Sequence, residues 1–498
     1  MTDPVDPEVP ERPTLSASGT LAAGGTLRLL SAGVGIVGGL LVSVALVREL
    51  GVYEFGIYAF VISVVGLAGV LADAGVGNGI SRMVAFLEGE EAKSWVRGSL
   101  RVSVTAGSVM TILVLLGVPL APSATRVPLM IASPLVLLAS LRSAEGGFFS
   151  ATRRVLLLEG TSIGTQVAVY VSILGITLAG AASVELILAV QVVIRAAGVG
   201  ILGVAWWQID HAPSMATRPT HRTILAFSLP LMLSAVAGIV LQRSDVVLLG
   251  LLSGPAAAGE YAPVLRAFDI APVIVSAIGY YFFSVGASLV RRKDFDRLRD
   301  AYVSVTKWEM VLTMPLLLTL LLLPVPVMTT LYGPTFSDTD TIARVLAVGF
   351  IVNVITGVNG GALVALGATR QIAIRSTVLI VTNIVLNIVL IPPFGALGAA
   401  LATTIVTIAL NAFNSLLIWR LARLHPLRSD TVAFFVAIVV AASASIAAVY
   451  ALGLEASLAG SVVVFGCVLV AGGVAALVTL RPEERKLGTA LLTRFRPE

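Results

Sequence analysis

The stretch RLLSAGVGIVGGLLVSVALVRELGVYEFGIYAFVISVVGLAGVLADAGVGNGISR, residues Arg28 to Arg82, decides the fold of this chain. It contains two apolar runs, 28–47 and 57–79, separated by a short polar connection. Each run has about the 20 residues that an α-helix needs to cross a hydrocarbon core about 30 Å thick. The stretch therefore predicts two membrane-spanning helices joined by a tight connection.

The rest of the chain is equally apolar. Its 498 residues are 57% hydrophobic and 12% charged, with a mean hydropathy of +0.98, whereas a soluble domain is about 25% charged. These values exclude a water-soluble globular protein. Further apolar runs follow at 100–121, 127–149, 161–182, 186–207, 223–252, 261–289, 308–330, 341–367, 373–391, 395–419, 430–453 and 457–480. We therefore predict an all-α polytopic membrane protein with about 14 transmembrane helices.

Positive charge is concentrated in alternate connections between the predicted helices. Of the 33 Lys and Arg residues, 26 lie on the side that both termini share, whereas only Arg48 and Arg126 lie on the other side. Lys and Arg near the ends of membrane helices are enriched on the cytoplasmic side. We therefore predict a multi-pass protein of the cell (cytoplasmic) membrane with both termini cytoplasmic. The net charge of +5 reflects this orientation and not nucleic-acid binding.

An internal repeat relates the first half of the chain to the second. Three residues after predicted helix 1 recur 203 positions later, after predicted helix 7. The matched pairs are Gly51 and Gly254, Gly56 and Gly259, and Tyr58 and Tyr261. Because six is an even number of helices, the two blocks have the same orientation, an arrangement found in two-lobe transporters whose cargo site lies between the lobes.

The repeat divides the chain into predicted units. Residues 1–20 are polar and Pro-rich and are predicted to form a disordered cytoplasmic tail. The N-terminal lobe occupies 21–210 with helices 1–6, and the C-terminal lobe occupies 211–425 with helices 7–12. Helices 13 and 14 occupy 426–480, and 481–498 form a basic cytoplasmic tail.

Arginines inside the predicted helices mark the candidate site. A charge at the bilayer centre costs about 2.5–3.5 kcal/mol on insertion scales, so each one needs a physical reason. A water-filled cavity that attracts an anionic group is one reason, because the planar guanidinium donates paired hydrogen bonds to phosphate oxygens. The candidate phosphate-binding residues are Arg142, Arg195, Arg243 and Arg266. Arg195 is the strongest of them, since its own helix offers no acidic residue within a turn.

Mutual neutralisation is the alternative reading of these charges. Glu145 follows Arg142 by three positions, and Asp269 follows Arg266 by three positions. This spacing places each pair on one helix face and allows an ion pair within the helix. The sequence leaves both readings open.

Six residues are candidates for gating or ion coupling. They are Arg48, Asp73, Arg82, Glu145, Asp245 and Asp269. Arg48, at the outer end of helix 1, is either a gate residue or an interfacial anchor, and Asp245 either takes part in coupling or simply meets Arg243 or water. The motif G-x-x-x-x-G-K-[ST] does not occur, and the three histidines have no metal-ligand spacing. We expect no catalytic residue, no metal site and no cofactor.

Two stretches resemble a known family. Arg48 to Arg82 is similar to the opening of polysaccharide and oligosaccharide flippases, through Leu50, Gly51, Phe55, Gly56, Tyr58, Asp73, Gly75 and Arg82. NIVLNIVLIPPFGALGAALATT, from Asn383 to Thr404, resembles the helix 11 to 12 signature of that family, through Asn383, Asn387, Pro392, Gly395, Gly398 and Ala399. The resemblance covers roughly residues 25–420 and points to the multidrug/oligosaccharidyl-lipid/polysaccharide (MOP) transporter superfamily.

The resemblance implies two six-helix lobes around a cationic cavity, and alternating access by rocking. It implies a cargo of oligosaccharide on a polyprenyl phosphate or pyrophosphate, moved for polysaccharide or glycoprotein glycan synthesis. The expected partners are this anionic lipid-linked glycan, membrane lipid and the enzymes of glycan assembly, and we expect a monomer. It also implies that helices 13 and 14 hold the lipid tail.

Two other classes of protein compete with the flippase. A cation-coupled multidrug antiporter of the same superfamily would favour a cavity rich in carboxylates and aromatic rings, whereas arginines match or outnumber the acids here. A membrane glycosyltransferase or O-antigen polymerase would need paired carboxylates on a large outer loop, and the outer connections are short. The sequence therefore favours a transporter over an enzyme.

Overall fold

The computed structural model describes residues 15–83, 89–152, 154–209, 221–425 and 429–479. Every regular element in these ranges is helical. The α-helices are α1 (Leu15–Asp73), α2 (Val76–Met83), α3 (Gly89–Gly117), α4 (Arg126–Ala132), α5 (Pro134–Ala151), α6 (Val155–Leu178), α7 (Val184–Ile209), α8 (His221–Leu252), α9 (Pro255–Ala267), α10 (Ile270–Arg291), α11 (Phe295–Leu322), α12 (Pro324–Tyr332), α13 (Asp340–Ile355), α14 (Asn359–Ala365), α15 (Thr369–Ala422), α16 (Ser429–Ala451) and α17 (Leu458–Thr479). Short 3-10 helices occupy Val118–Leu120, Ser123–Thr125 and Pro334–Thr339.

The helices form a membrane-spanning bundle. Ten helical segments of the described residues are long and apolar enough to cross a membrane. Helices α1 and α15 each bend at a glycine of positive φ, Gly51 (φ 78) and Gly395 (φ 54), so each supplies two crossings. With α8 and the α9–α10 pair, the described chain has 14 long helices. The prediction of an all-α polytopic membrane protein with 14 helices is confirmed.

Two helical lobes meet along the first and second helices of each block. Within the N-terminal lobe α1 packs on α5 and α6, and within the C-terminal lobe α15 packs on α8 and α13. Helix α1 crosses to the other lobe, where it packs on α8 and α9. The last two helices, α16 and α17, pack on each other and on α11. The largest core crosses the lobe interface and includes Phe55 and Tyr261.

The backbone repeats the symmetry that the sequence predicts. Gly51 has φ 78 and ψ 174, and its counterpart Gly254 has φ 86 and ψ 174. Only glycine adopts this combination readily. Both glycines reverse the chain between the first and second helices of their blocks, so the two blocks begin with the same turn.

The ends of the predicted units lie partly outside the described residues. This holds for residues 1–14 of the predicted N-terminal tail and for the basic tail at 481–498, and α1 begins at Leu15. The predicted boundary near residue 210 and that near residue 426 also fall in ranges that the structure does not describe. The exact lobe boundaries therefore stay a prediction.

Candidate functional site

Three of the four predicted cavity arginines come together where the lobes meet. Arg195 lies on α7 of the N-terminal lobe, whereas Arg243 and Arg266 lie on α8 and α9 of the C-terminal lobe. Arg243 interacts electrostatically with both of the other two. We call these three residues the arginine cluster. Like charges this close repel one another, so the cluster stores a positive potential that an anion would relieve.

Two tyrosines line the same region. Tyr58 interacts electrostatically with Arg243 and Arg266, and Tyr170 with Arg195 and Arg266. The Tyr58 hydroxyl accepts a hydrogen bond of 3.1 Å from the Gln191 side chain. Tyr58 was visible in the sequence as part of the repeat, but nothing in the sequence pointed to Tyr170, because its role depends on how α6 packs against α1.

One arginine of the cluster is paired. The Arg266 guanidinium donates to the Asp269 carboxylate at 2.8 Å, and the two side chains are 41% and 40% exposed. The ion pair that the three-residue spacing allows is therefore formed. Arg195, by contrast, has no ion-pair partner within 4 Å among the residues that the structure describes. The cluster carries three arginines against one nearby acid, so its net charge is positive.

Arg142 lies deeper in the N-terminal lobe. It lines a pocket of 560 Å³ together with Arg195 and Tyr170, which we call the lateral pocket. Its Nη2 donates to the carbonyl oxygen of Leu158 at 3.2 Å, whereas its Nη1 is buried and has no hydrogen-bond partner in the described part of the chain. Glu145 is buried nearby without forming an ion pair with it. The ion pair that the spacing of Arg142 and Glu145 allows is thus not formed, unlike that of Arg266 and Asp269.

Asp245 lies at the centre of a polar cluster inside the C-terminal lobe. Its carboxylate is 1% exposed and accepts hydrogen bonds from Asn387 Nδ2 at 2.8 Å, from the Tyr261 hydroxyl at 3.1 Å and from the Thr403 hydroxyl. The Asn387 Oδ1 atom is buried and lacks a hydrogen-bond partner among the described residues. Asp245 therefore meets neither Arg243 nor bulk water in the described structure, and hydrogen-bond donors from α9 and α15 surround it.

The remaining candidates lie at the ends of helices. Arg48, near the bend of α1, donates hydrogen bonds to the carbonyl oxygens of Thr330 and Leu331. The distance from Nε to the Leu331 oxygen is 2.9 Å, and both bonds join the two lobes. Asp73 accepts a hydrogen bond of 3.2 Å from the Gly77 backbone nitrogen in the first turn of α2. Arg82 lies exposed in the last turn of α2.

The sequence reasoning missed one buried acid. Glu309 on α11 is fully buried, and neither carboxylate oxygen has a hydrogen-bond partner within the described ranges. Lys307, which directly precedes the predicted run 308–330, is buried as well. Both residues lie where an apolar run begins, so hydropathy alone assigned them to its edge. Helix α11 extends from Phe295 and carries both residues into the bundle.

The fold is that of a two-lobed, multi-pass helical membrane protein. The chain belongs to the polysaccharide biosynthesis protein family, whose sequence profile matches residues 21–284, slightly more than half of the chain. The probable low-salt glycan biosynthesis flippase Agl15 of Haloferax volcanii is 21% identical over 202 residues, which cover 40% of this chain and 43% of that protein. The chain thus aligns with less than half of the length of this curated relative.

Solved structures show the same architecture. The lipid II flippase MurJ in an inward closed conformation matches with a TM-score of 0.69 and 14% identity, over 91% of this chain and 99% of that chain. An inward-facing multidrug resistance MATE family transporter of the MOP superfamily matches with a TM-score of 0.62 and 12% identity, over 78% of this chain and 95% of that chain. At these identities the likeness concerns the fold alone, and the predicted resemblance to a polysaccharide family is confirmed by the profile match.

Proposed function

We propose that the protein is a flippase that moves an oligosaccharide linked to a polyprenyl phosphate or pyrophosphate across the cytoplasmic membrane. The observation that carries this proposal is the arginine cluster, to which the N-terminal lobe contributes Arg195 and the C-terminal lobe contributes Arg243 and Arg266. A phosphate bound there touches both lobes at once. The family match and the Agl15 relative support a glycan cargo.

The chemistry of the cluster suits a phosphate group. Arginine stays charged when partly desolvated and presents two parallel N–H donors to neighbouring oxygens. Of the three arginines, Arg266 alone has a carboxylate at hydrogen-bond distance within the described residues, so Arg195 and Arg243 supply the remaining attraction. The Tyr58 hydroxyl, which accepts from Gln191, adds a neutral hydrogen-bond donor beside them, whereas the Tyr170 hydroxyl donates to the carbonyl oxygen of Gly35 at 3.1 Å.

Transport follows from rocking of the lobes about this bound phosphate. The lobes touch through α1 and α9 at the end of the interface that the charge pattern places outside the cell. The head group enters from the cytoplasmic leaflet, and the opposite tilt of the lobes releases it outside while the lipid tail stays in the bilayer. In this proposal both termini are cytoplasmic and the protein acts as a monomer.

Asp245 is the proposed binding site of a coupled cation, either Na⁺ or a proton. Carboxylate, amide and hydroxyl oxygens are the ligands that hard cations prefer. The oxygens of Asp245, Tyr261 and Thr403 converge there. Asn387 presents its Nδ2 atom to the carboxylate, so its amide would rotate to offer the Oδ1 atom, which is unpartnered in the described structure, to a cation. Helices α8 and α15 both contribute, so a bound cation would bias the packing of the C-terminal lobe.

The test is transbilayer movement of a lipid-linked oligosaccharide in proteoliposomes. We expect Arg195→Ala and Arg266→Ala to lower the flipping rate about tenfold or more. This factor corresponds to the free energy of one charge-assisted hydrogen bond to the phosphate. Arg297→Ala is the matched control, since the Arg297 side chain is 74% exposed at the start of α11.

Three outcomes are informative. Loss of flipping in the cluster variants alone supports both the class and the site. Equal rates in all three variants would contradict the site while keeping the class. Absence of flipping by the wild type with several carrier lipids, together with cation-coupled export of a dye, would assign the protein to the drug antiporters.

A further inference from the structure

A crevice opens on the side of the N-terminal lobe between α6 and α7. Its volume is 320 Å³, and its walls are mostly apolar or small. The lining residues are Leu156, Leu157, Gly160, Thr161, Gly164, Thr165 and Ile201, a set that we call the α6–α7 crevice. Thr165 also lines the lateral pocket, so the two cavities adjoin.

Glycines keep the crevice open. A Cβ placed on Gly160 or on Gly164 would meet no atom within 4 Å. These two glycines are four positions apart and therefore share one face of α6. Farther along the helix pair a Cβ on Gly198 would lie 2.5 Å from the Thr165 hydroxyl oxygen, so α6 and α7 touch there. The gap widens from this contact toward Leu156, which is 52% exposed.

The inner end of the crevice is charged. The lateral pocket that adjoins it contains Arg142 and Arg195, with Glu159 as the acid among its lining residues. Arg142 Nη1 and Gln166 Oε1 are both buried there without a hydrogen-bond partner in the described residues. Buried polar atoms are normally satisfied, so the Arg142 Nη1 donor is available to an acceptor such as a phosphate oxygen, whereas Gln166 Oε1 can accept only from a donor such as a hydroxyl group. A ligand that fits both cavities has an anionic head and a long apolar tail.

The crevice also lies at the membrane depth where a lipid of the cytoplasmic leaflet could enter. Leu156 and Leu157 are in the first turn of α6, directly after the connection at 153–154 that the charge pattern places on the cytoplasmic side. The crevice therefore faces the cytoplasmic leaflet, where the cargo of the proposed function is made. Arg195 belongs to both the lateral pocket and the arginine cluster, so a phosphate there connects a tail in the crevice with a glycan between the lobes.

We propose that the α6–α7 crevice holds the isoprenoid chain of the cargo lipid while Arg142 and Arg195 bind its phosphate. This inference rests on the proposed flippase function and adds the place where the lipid enters. It differs from the expectation that the last two helices, α16 and α17, hold the tail. Apolar contact along the crevice supplies affinity for the chain, whereas the arginines select the anionic head.

The experiment uses a polyprenyl monophosphate that carries a photoreactive diazirine on its chain, added to the full-length protein in nanodiscs. Mass spectrometry of the crosslinked peptides is expected to place the probe on α6 and α7. Filling the crevice in Gly164→Leu should lower the crosslinking yield about tenfold, because roughly two methylene contacts are lost. Gly175→Leu is the matched control, since Gly175 lies on the same helix and its Cβ position is also open.

Each result has a defined meaning. Crosslinks on α16 and α17, or equal yields from the two leucine variants, would overturn the inference while leaving the flippase proposal intact. If phosphatidylglycerol displaced the probe as well as unlabelled polyprenyl monophosphate does, the crevice would be a site for bulk anionic lipid. This result would also overturn the inference. Flipping of a lipid-linked glycan is measured in parallel with the same protein preparations. A wild-type protein that binds the probe but moves no lipid-linked glycan would contradict the proposed flippase function itself.

Discussion

Gly56 on α1 and Gly259 on α9 pack backbone to backbone across the lobe interface. A Cβ on Gly56 would lie 2.9 Å from the Gly259 nitrogen and would overlap the carbonyl group of Pro255. A Cβ on Gly259 would likewise lie 2.9 Å from the carbonyl carbon of Val52. All four residues obey the 203-residue repeat, so the contact is symmetric between the lobes. Two glycines thus permit the lobes to close at this end.

We predict that Gly56→Ala opens this end of the interface. The added methyl has no room, and overpacking of this kind costs about 1–3 kcal/mol. Spin labels at Tyr53 and Ala256, two exposed positions related by the repeat, would report a longer distance between the lobes. The labels require the Cys467→Ser background, because Cys467 is the one native cysteine. Gly66→Ala is the control, since its Cβ would meet no atom within 4 Å. Unchanged distances in Gly56→Ala would contradict a gating role.

Arg48 is expected to hold the same end closed. Its guanidinium joins the bend of α1 to the last residues of α12 through the carbonyls of Thr330 and Leu331. Loss of these exposed hydrogen bonds in Arg48→Ala should weaken the closed state by about 1 kcal/mol, or about fivefold in population. The change is measurable as faster labelling of a cysteine placed at Ser43, which faces Tyr332.

Arg126→Ala provides the comparison for Arg48. Arg126 lies on the same predicted side and donates to the carbonyls of Ala121 and Pro119, so its bonds stay within one lobe. We expect no change in cysteine labelling for this variant. Equal effects of the two substitutions would mean that Arg48 acts as a surface anchor and not as a gate.

Asp245→Asn should separate cation coupling from folding. The substitution keeps the size of the side chain but removes the charge that Asn387, Tyr261 and Thr403 surround. We expect flipping to lose its dependence on a Na⁺ or proton gradient, with wild-type levels of folded protein. Asp340→Asn is the control, because Asp340 lies at the start of α13 and pairs with Arg344 at 3.7 Å. Retention of the gradient dependence by Asp245→Asn would rule out Asp245 as the coupling site.

Asp73 is predicted to stabilise the folded protein and not to bind cargo. Its carboxylate accepts from Gly77 and thereby caps α2, so Asp73→Ala should cost about 1 kcal/mol. Asp73→Asn retains an acceptor oxygen and should preserve both thermal stability in detergent and the rate of flipping. A strong loss of flipping in Asp73→Asn without a loss of stability would show a direct role in transport.

Sequence reasoning identified the site only in part. Arg195, Arg243 and Arg266 were identifiable because a charge in an apolar run is conspicuous whatever the packing. Tyr170 and Gln166 were not, because neutral polar residues are common in membrane helices and their role depends on which helix faces them. The two i, i+3 pairs looked equivalent in the sequence, yet Arg266 pairs with Asp269 while Arg142 bonds to Leu158 instead.

The sequence by itself determined the number of helices and their repeat, because a bilayer of fixed thickness requires apolar runs of fixed length. It also identified the charges in the middle of apolar runs, such as Arg195 and Asp245, but not Glu309 at the edge of a run. Only the tertiary structure decided which charges interact. The electrostatic interaction between Arg195 and Arg243 and the hydrogen bond between Thr403 and Asp245 both depend on the rotation and tilt of different helices. Helix rotation is set by side-chain packing across the bundle, which hydropathy does not record.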